Sequence, residues 1–148
     1  MRIKTSTITT RYELTGPKDA PVVVLSHSLG CNLHMWDPQM TALELHWRVL
    51  RYDTRGHGES EAPAGAYTLD ELVADAVALL DALAIPRVSF VGLSMGGMIG
   101  QGLALRHAER LHRLAPASHR GAISACPNHD CRHAEPRQRR GAFPRPRA

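Results

Sequence analysis

The sequence predicts an α/β domain, a mainly parallel sheet with flanking helices, followed by a disordered tail. Three observations carry this. Largely apolar runs of strand length recur at residues 22–25, 47–52 and 88–91, as strands buried on both faces require. Segments with helical spacing, 69–83 and 95–107, alternate with them, which implies parallel strands joined by crossover helices. At Ala115 the composition then changes: Pro116, Pro127, Pro136, Pro144 and Pro146 follow, and Ile123 is the last large aliphatic residue.

Taken in order, residues 3–14 alternate β-branched and polar positions (Thr5, Thr7, Thr9, Tyr12), which suits one or two half-exposed edge strands. Gly16-Pro17-Lys18-Asp19 is a turn before the first buried strand. A loop and a short helix around residues 35–45 lead to the second, which ends at Asp53. A glycine-rich loop follows, Arg55-Gly56-His57-Gly58-Glu59-Ser60. Thr68 and Glu71 form a capping box, in which each side chain satisfies a backbone N–H of the other. The helix they open presents Leu69, Leu72, Val73, Ala76, Leu79, Leu80 and Leu83 as one apolar stripe, with Pro86 beyond its end.

The 148 residues, 43% hydrophobic and 22% charged, suffice for one domain, placed at residues 1–115. No apolar run reaches the roughly 18 residues of a membrane span. Residues 1–10 are polar and show no signal-peptide core, and Cys31, Cys126 and Cys131 cannot all pair within one chain, so a reduced, cytoplasmic setting is expected. The net charge of +4 is uneven. Residues 1–115 carry 11 Lys/Arg against 12 Asp/Glu, whereas residues 116–148 carry seven Arg against two acids. The basic character belongs to the tail, which lacks the apolar content to offset the entropy of ordering it.

Chemistry concentrates in Gly92-Leu93-Ser94-Met95-Gly96, a G-x-S-x-G pattern directly after a strand and directly before a helix. A sharp strand-to-helix turn of this kind lifts a serine out of the sheet as a nucleophile. It needs small residues where a Cβ would collide, and it aims the free N–H groups of the next helix at the reacting carbonyl. The plain alternative is a glycine-rich turn with an incidental serine; the flanking strand and helix argue against it. His27-Ser28-Leu29-Gly30 follows the first buried strand, where a second oxyanion donor is needed. The expectation is that the backbone N–H groups of Leu29 and Met95 bind the developing oxyanion together. His27 reads as a loop histidine that orients this turn. Asp53 and His57 read as scaffolding of a tight loop.

In these motifs residues 12–114 resemble the N-terminal portion of α/β-hydrolase-fold enzymes, and within them the 3-oxoadipate enol-lactonases. The resemblance rests on Ser26-His27-Ser28-Leu29-Gly30, His34-Met35-Trp36-Asp37-Pro38, Arg51-Tyr52-Asp53-Thr54-Arg55-Gly56-His57-Gly58, and Gly92-Leu93-Ser94-Met95-Gly96-Gly97-Met98-Ile99-Gly100-Gln101. It implies an incomplete α/β-hydrolase fold that hydrolyses 3-oxoadipate enol-lactone to 3-oxoadipate in aromatic catabolism, with Ser94 attacking a small lactone or ester and neither metal nor organic cofactor. An esterase or perhydrolase of the same fold is the alternative.

The family's mechanism also needs an acid and a histidine after the serine. The resemblance stops at Leu114, and Pro116 is not expected in a central strand, so no core strand is expected there. Asp130 with His129 or His133 has the right residue types but no element to hold it. Cys126, Cys131, His129 and His133 fit no standard zinc spacing, so no metal site is expected. The tail arginines would bind nucleic acid or another anion by charge alone, as a non-enzymatic module; Phe143, the tail's one aromatic, supports no specific recognition. A one- or two-base frame change in a GC-rich coding sequence would produce this composition, and a chain so altered is expected to be impaired.

Overall fold

The computed structural model describes residues 1–117. The chain runs β1 (Arg2–Lys4), β2 (Thr9–Thr15), β3 (Val22–Ser26), α1 (Asp37–Leu43), β4 (Arg48–Tyr52), α2 (Leu69–Ala82), β5 (Val88–Leu93), α3 (Met95–Arg106) and β6 (Leu111–Ala117). The six strands form one mixed sheet in the order β1-β2-β4-β3-β5-β6. The pairs β3/β4, β3/β5 and β5/β6 are parallel, while β1/β2 and β2/β4 are antiparallel. This is the α/β-hydrolase type of sheet with flanking helices that the motifs imply.

Both faces of the central strands are buried, which explains their continuous apolar character. Val24, Leu50, Val88 and Phe90 pack against Leu72, Val73, Ala76 and Leu79 of α2 and Ile99 and Leu103 of α3. Val23, Leu25 and Val49 pack on the other face against Met40 of α1, with Trp36 and Leu43 beside them. Arg51 breaks the apolar pattern of β4 and is nonetheless buried, because Glu13 of β2 accepts from its Nη2 at 2.6 Å and Asp37 of α1 accepts from its Nη1.

The capping box forms as expected: Thr68 Oγ1 accepts from Glu71 N–H at 3.2 Å, and Glu71 Oε2 accepts from Thr68 N–H at 2.8 Å. Leu69 departs from the expected stripe and is 39% exposed, since it opens the helix ahead of the first buried turn. At the other end, Ala84 N–H donates to Asp81 O and Ile85 N–H to Leu80 O, with Ala84 at φ 53°. These two bonds make a Schellman closure.

The short helix expected around residues 35–45 is α1, entered through a 3-10 turn, Leu33–Trp36, with Pro38 in the first turn of α1 where its missing N–H costs nothing. Two expectations need correction. Residues 3–14, expected as one or two edge strands, form β1 at the edge and β2 between β1 and β4; the alternation of β2 reflects one buried face, with Thr10 and Tyr12 pointing inward. Finally, β6 crosses position 115 and carries Pro116 in register with Gly92. β6 has a partner on one side only among the described residues, and a strand in that position tolerates proline. The tail residues considered above, including Asp130, His129, His133, Cys126, Cys131 and the arginines, lie outside the described residues.

Candidate active site

Strands β3 and β5 are parallel neighbours, with Ser26 opposite Gly92. Leu29 follows Ser26 by three residues and Met95 follows Gly92 by three, so the two loops leave the same end of the sheet side by side. Ser94 stands at the sharp bend between β5 and α3 with φ 52° and ψ −110°, a conformation L-residues rarely hold. Its N–H donates to the Ala117 carbonyl at 3.0 Å, its carbonyl accepts from Met98 N–H at 3.0 Å, and its hydroxyl makes no capping bond. The strand end past the composition change thus helps to hold the bend.

The spacing of the glycines has a steric cause. A Cβ on Gly92 would lie 2.2 Å from the backbone carbon of Gly96, and one on Gly96 would lie 2.3 Å from the Ser26 carbonyl oxygen. The first turn of α3 therefore rests directly on the end of β3. Beneath it, Ser26 Oγ and the Tyr52 hydroxyl are 3.2 Å apart, and burial pushes the Tyr52 phenol well above its ordinary range. Met95 opens α3, where helix N–H groups have no intrahelical acceptor. Leu29 lies in a turn closed by Cys31 N–H donating to Ser28 O at 3.1 Å. Gly30 in that turn takes φ +74°, and a Cβ there would meet nothing, so the glycine serves the backbone angle and not space.

The loop after β4 faces this turn. Asp53 accepts from Leu33 N–H at 2.7 Å and from Glu59 N–H at 2.8 Å, so each oxygen already holds a backbone amide and the residue is scaffolding. Arg55 makes a two-pronged pair with Asp75 of α2 at 2.8 and 2.9 Å, and reaches Glu71 at 2.9 Å. This fastens the loop to the helix.

Two histidines link the loops reciprocally. His27 is fully buried; its Nδ1 lies 2.8 Å from the Ser28 carbonyl and its Nε2 accepts from Thr54 N–H at 3.0 Å. A carbonyl only accepts, so the proton sits on Nδ1 and the lone pair on Nε2. His57 runs the opposite way: its Nδ1 lies 3.0 Å from the Arg55 carbonyl and its Nε2 accepts from Gly30 N–H at 3.2 Å. The Thr54 hydroxyl is 3.2 Å from each ring, and the ring centres are 5.2 Å apart. Burial, with a smaller effect of His57, pushes His27 down to about 4, against the hydrogen bond to Ser28, which favours the charged form. His27 thus has the orienting place expected of it. The part played by Thr54 was not legible, because it depends on which strands are neighbours.

No histidine after Ser94 stands beside it among the described residues. His107 ends α3, about 18 Å along the helix, and His112 lies near the start of β6, at the far end of the sheet. The described residues also hold no cluster of three metal-ligating side chains and no helix long and apolar enough to cross a membrane.

A strained serine between a parallel strand and a helix, on this sheet, defines a class. The chain belongs to the α/β hydrolase fold family, whose model matches residues 21–139. It is 45% identical over 107 residues to 3-oxoadipate enol-lactonase 2 of Acinetobacter baylyi, an alignment covering 72% of this chain and 40% of that protein. It is 41% identical over 110 residues to 3-oxoadipate enol-lactonase 1 of the same organism, covering 74% and 41%. The crystal structure of the enol-lactonase from Burkholderia xenovorans LB400 superposes with a TM-score of 0.75 at 50% identity, covering 77% of this chain and 45% of that one. The match thus spans about two-fifths of the length of these curated relatives.

Proposed function

We propose that this chain carries the nucleophile half of a serine carboxylic-ester hydrolase whose substrate is an enol-lactone, 3-oxoadipate enol-lactone by its similarity to the Acinetobacter proteins. The observation that carries this reading is the backbone of Ser94, held at φ 52° and ψ −110° between β5 and α3. Backbone strain of this kind costs about 1–3 kcal/mol and persists where the surrounding structure imposes it.

In the proposed reaction Ser94 Oγ attacks the lactone carbonyl and the carbonyl oxygen gains charge. The N–H groups of Leu29 and Met95 receive that charge. The ring C–O bond then breaks, the acyl group stays on Ser94, and the leaving oxygen takes the proton that the serine gave up, so that an enol is released and tautomerises to the ketone. Water attacks the acyl carbon and frees Ser94. A base must take the serine proton and return it to the leaving oxygen. Among residues 1–117 none hydrogen-bonds the Ser94 hydroxyl, so their own contribution is that of oxyanion donors and binding, about 10³–10⁴ over water in a comparable hydrolase.

The test is stoichiometric. The full chain is treated with a fluorophosphonate and the adduct is mapped by mass spectrometry, beside enol-lactone hydrolysis followed by absorbance. Adduct on Ser94, lost in Ser94→Ala, is the expected result. Adduct elsewhere, or none, refutes the nucleophile; adduct on Ser94 with faster turnover of simple aryl esters than of the lactone refutes the substrate.

A further inference from the structure

The Leu29 N–H belongs to the peptide that joins Ser28 to Leu29. In a trans peptide the carbonyl and the following N–H share one plane and point in opposite directions. Whatever grips the Ser28 carbonyl therefore aims the Leu29 N–H. Two donors grip it. Cys31 N–H reaches Ser28 O at 3.1 Å and closes the turn. His27 Nδ1 lies 2.8 Å from the same oxygen, and since a carbonyl only accepts, Nδ1 carries the proton between them. The Leu29 N–H itself donates to no group among the described residues.

The ring is held from behind. Thr54, just past the end of β4, donates its N–H to His27 Nε2 at 3.0 Å, and its hydroxyl lies 3.2 Å from the same nitrogen. His27 is wholly buried, and burial pushes it down to about 4, so at neutral pH the ring keeps the Nε2 lone pair that the Thr54 N–H needs. With Nε2 accepting and Nδ1 donating, the ring fits between these two backbone groups in one tautomer. A line of fixed groups therefore runs from the end of β4 through His27 to the Ser28–Leu29 peptide.

We propose that His27 is a positioning residue for the oxyanion site: by donating from Nδ1 to the Ser28 carbonyl it sets the plane of the Ser28–Leu29 peptide, and so the direction of the Leu29 N–H. This role rests on the reading of Leu29 as an oxyanion donor. It is narrower than orienting a loop, because it assigns His27 one proton and one peptide. A ring that only filled space, or only accepted from Thr54, would leave the Leu29 N–H to the Cys31 bond alone.

The two ring nitrogens can be replaced separately. His27→Asn puts an amide N–H where Nδ1 stood and removes the acceptor for Thr54. His27→Gln puts an amide oxygen where Nε2 stood and removes the donor to Ser28. In the full-length ¹⁵N-labelled chain the residual dipolar coupling of the Leu29 amide reads the direction of its N–H, with the amides of β3, β4 and β5 as the control for folding. The ring ¹⁵N shifts of wild-type His27 are expected to show the proton on Nδ1. His27→Asn is expected to keep the Leu29 coupling and His27→Gln to change it. Phosphonylation of Ser94 is expected to slow about tenfold in His27→Gln and no more than about twofold in His27→Asn, against roughly 10²–10³ for deleting an oxyanion donor outright. A wild-type proton on Nε2, a Leu29 coupling unchanged in His27→Gln, or His27→Asn moving Leu29 as far as His27→Gln does, overturns the proposal. Should both variants unfold, the wild-type ring decides: a proton on Nδ1, coupled through its hydrogen bond to the Ser28 carbonyl carbon, supports the role, and its absence overturns it. Should wild-type Ser94 take no phosphonate, the nucleophile reading fails, and the Leu29 coupling alone decides what His27 holds.

Discussion

Ser94 holds a backbone angle that glycine would take without cost. Ser94→Gly is therefore expected to stabilise the chain by about 1 kcal/mol, the relief of strain exceeding the entropy that glycine adds to the unfolded state. Urea unfolding checks this, and the same variant takes no phosphonate. His27 gives the second prediction at this scale. The unfolded chain binds a proton on it near pH 6.5, whereas the folded chain holds it down near 4. Its burial as a neutral ring is thus fully tolerated above about pH 7, and stability falls as pH drops from there toward 4, by on the order of 3 kcal/mol in all. Replacing His27 with Gln should flatten that slope in urea midpoints taken between pH 7 and 4. Much at this scale was legible in the sequence. Gly92 and Gly96 announce a crowded turn, and the structure supplies the collisions. What could not be read is the reach of His57 to Gly30, since 27 residues separate them and only the adjacency of β3 and β4 brings them together.

The elements bear out local rules where local rules decide. The box at Thr68 is visible in four residues because its bonds are made within four residues. The end of α2 is less orthodox. A Schellman closure favours glycine at its left-handed position, and this helix has Ala84 there at φ 53°. Ala84→Gly is expected to gain about 1 kcal/mol, read as a raised melting temperature. The pair between Arg55 and Asp75 is a buried charge pair, so breaking it differs from replacing it. Asp75→Ala leaves Arg55 with Glu71 alone and should cost about 3 kcal/mol, the low end for a broken buried pair, while the double variant Arg55→Met with Asp75→Leu should cost far less. A thermodynamic cycle measured by urea unfolding distinguishes the two. The strand through Pro116 shows where a local rule misleads. Proline excludes a strand only where both sides must donate, and that depends on the position of β6 in the sheet, which no single strand's sequence specifies.

Across the whole molecule, the alternation of strands and helices made a mainly parallel sheet legible, and the order of its strands was not. β2 is the clearest case: its alternation announces one wet face, yet it lies inside the sheet, antiparallel to β4. Strand order also ranks local stability. β3 and β4 have partners on both sides and helices over both faces, whereas β1 and β6 have a partner on one side only among the described residues. Hydrogen exchange should therefore be slowest in β3 and β4 and fastest in β1 and β6. Equal protection across the six strands would contradict this order.

The exchange of histidines between the loops after β3 and β4 also bears on inheritance. Each loop keeps its shape through a side chain lodged on the other's backbone, so an insertion in one displaces an anchor in both. Descendants of this chain can alter the pair only in concert, and a graft of either loop alone into a foreign scaffold would arrive without half of its support.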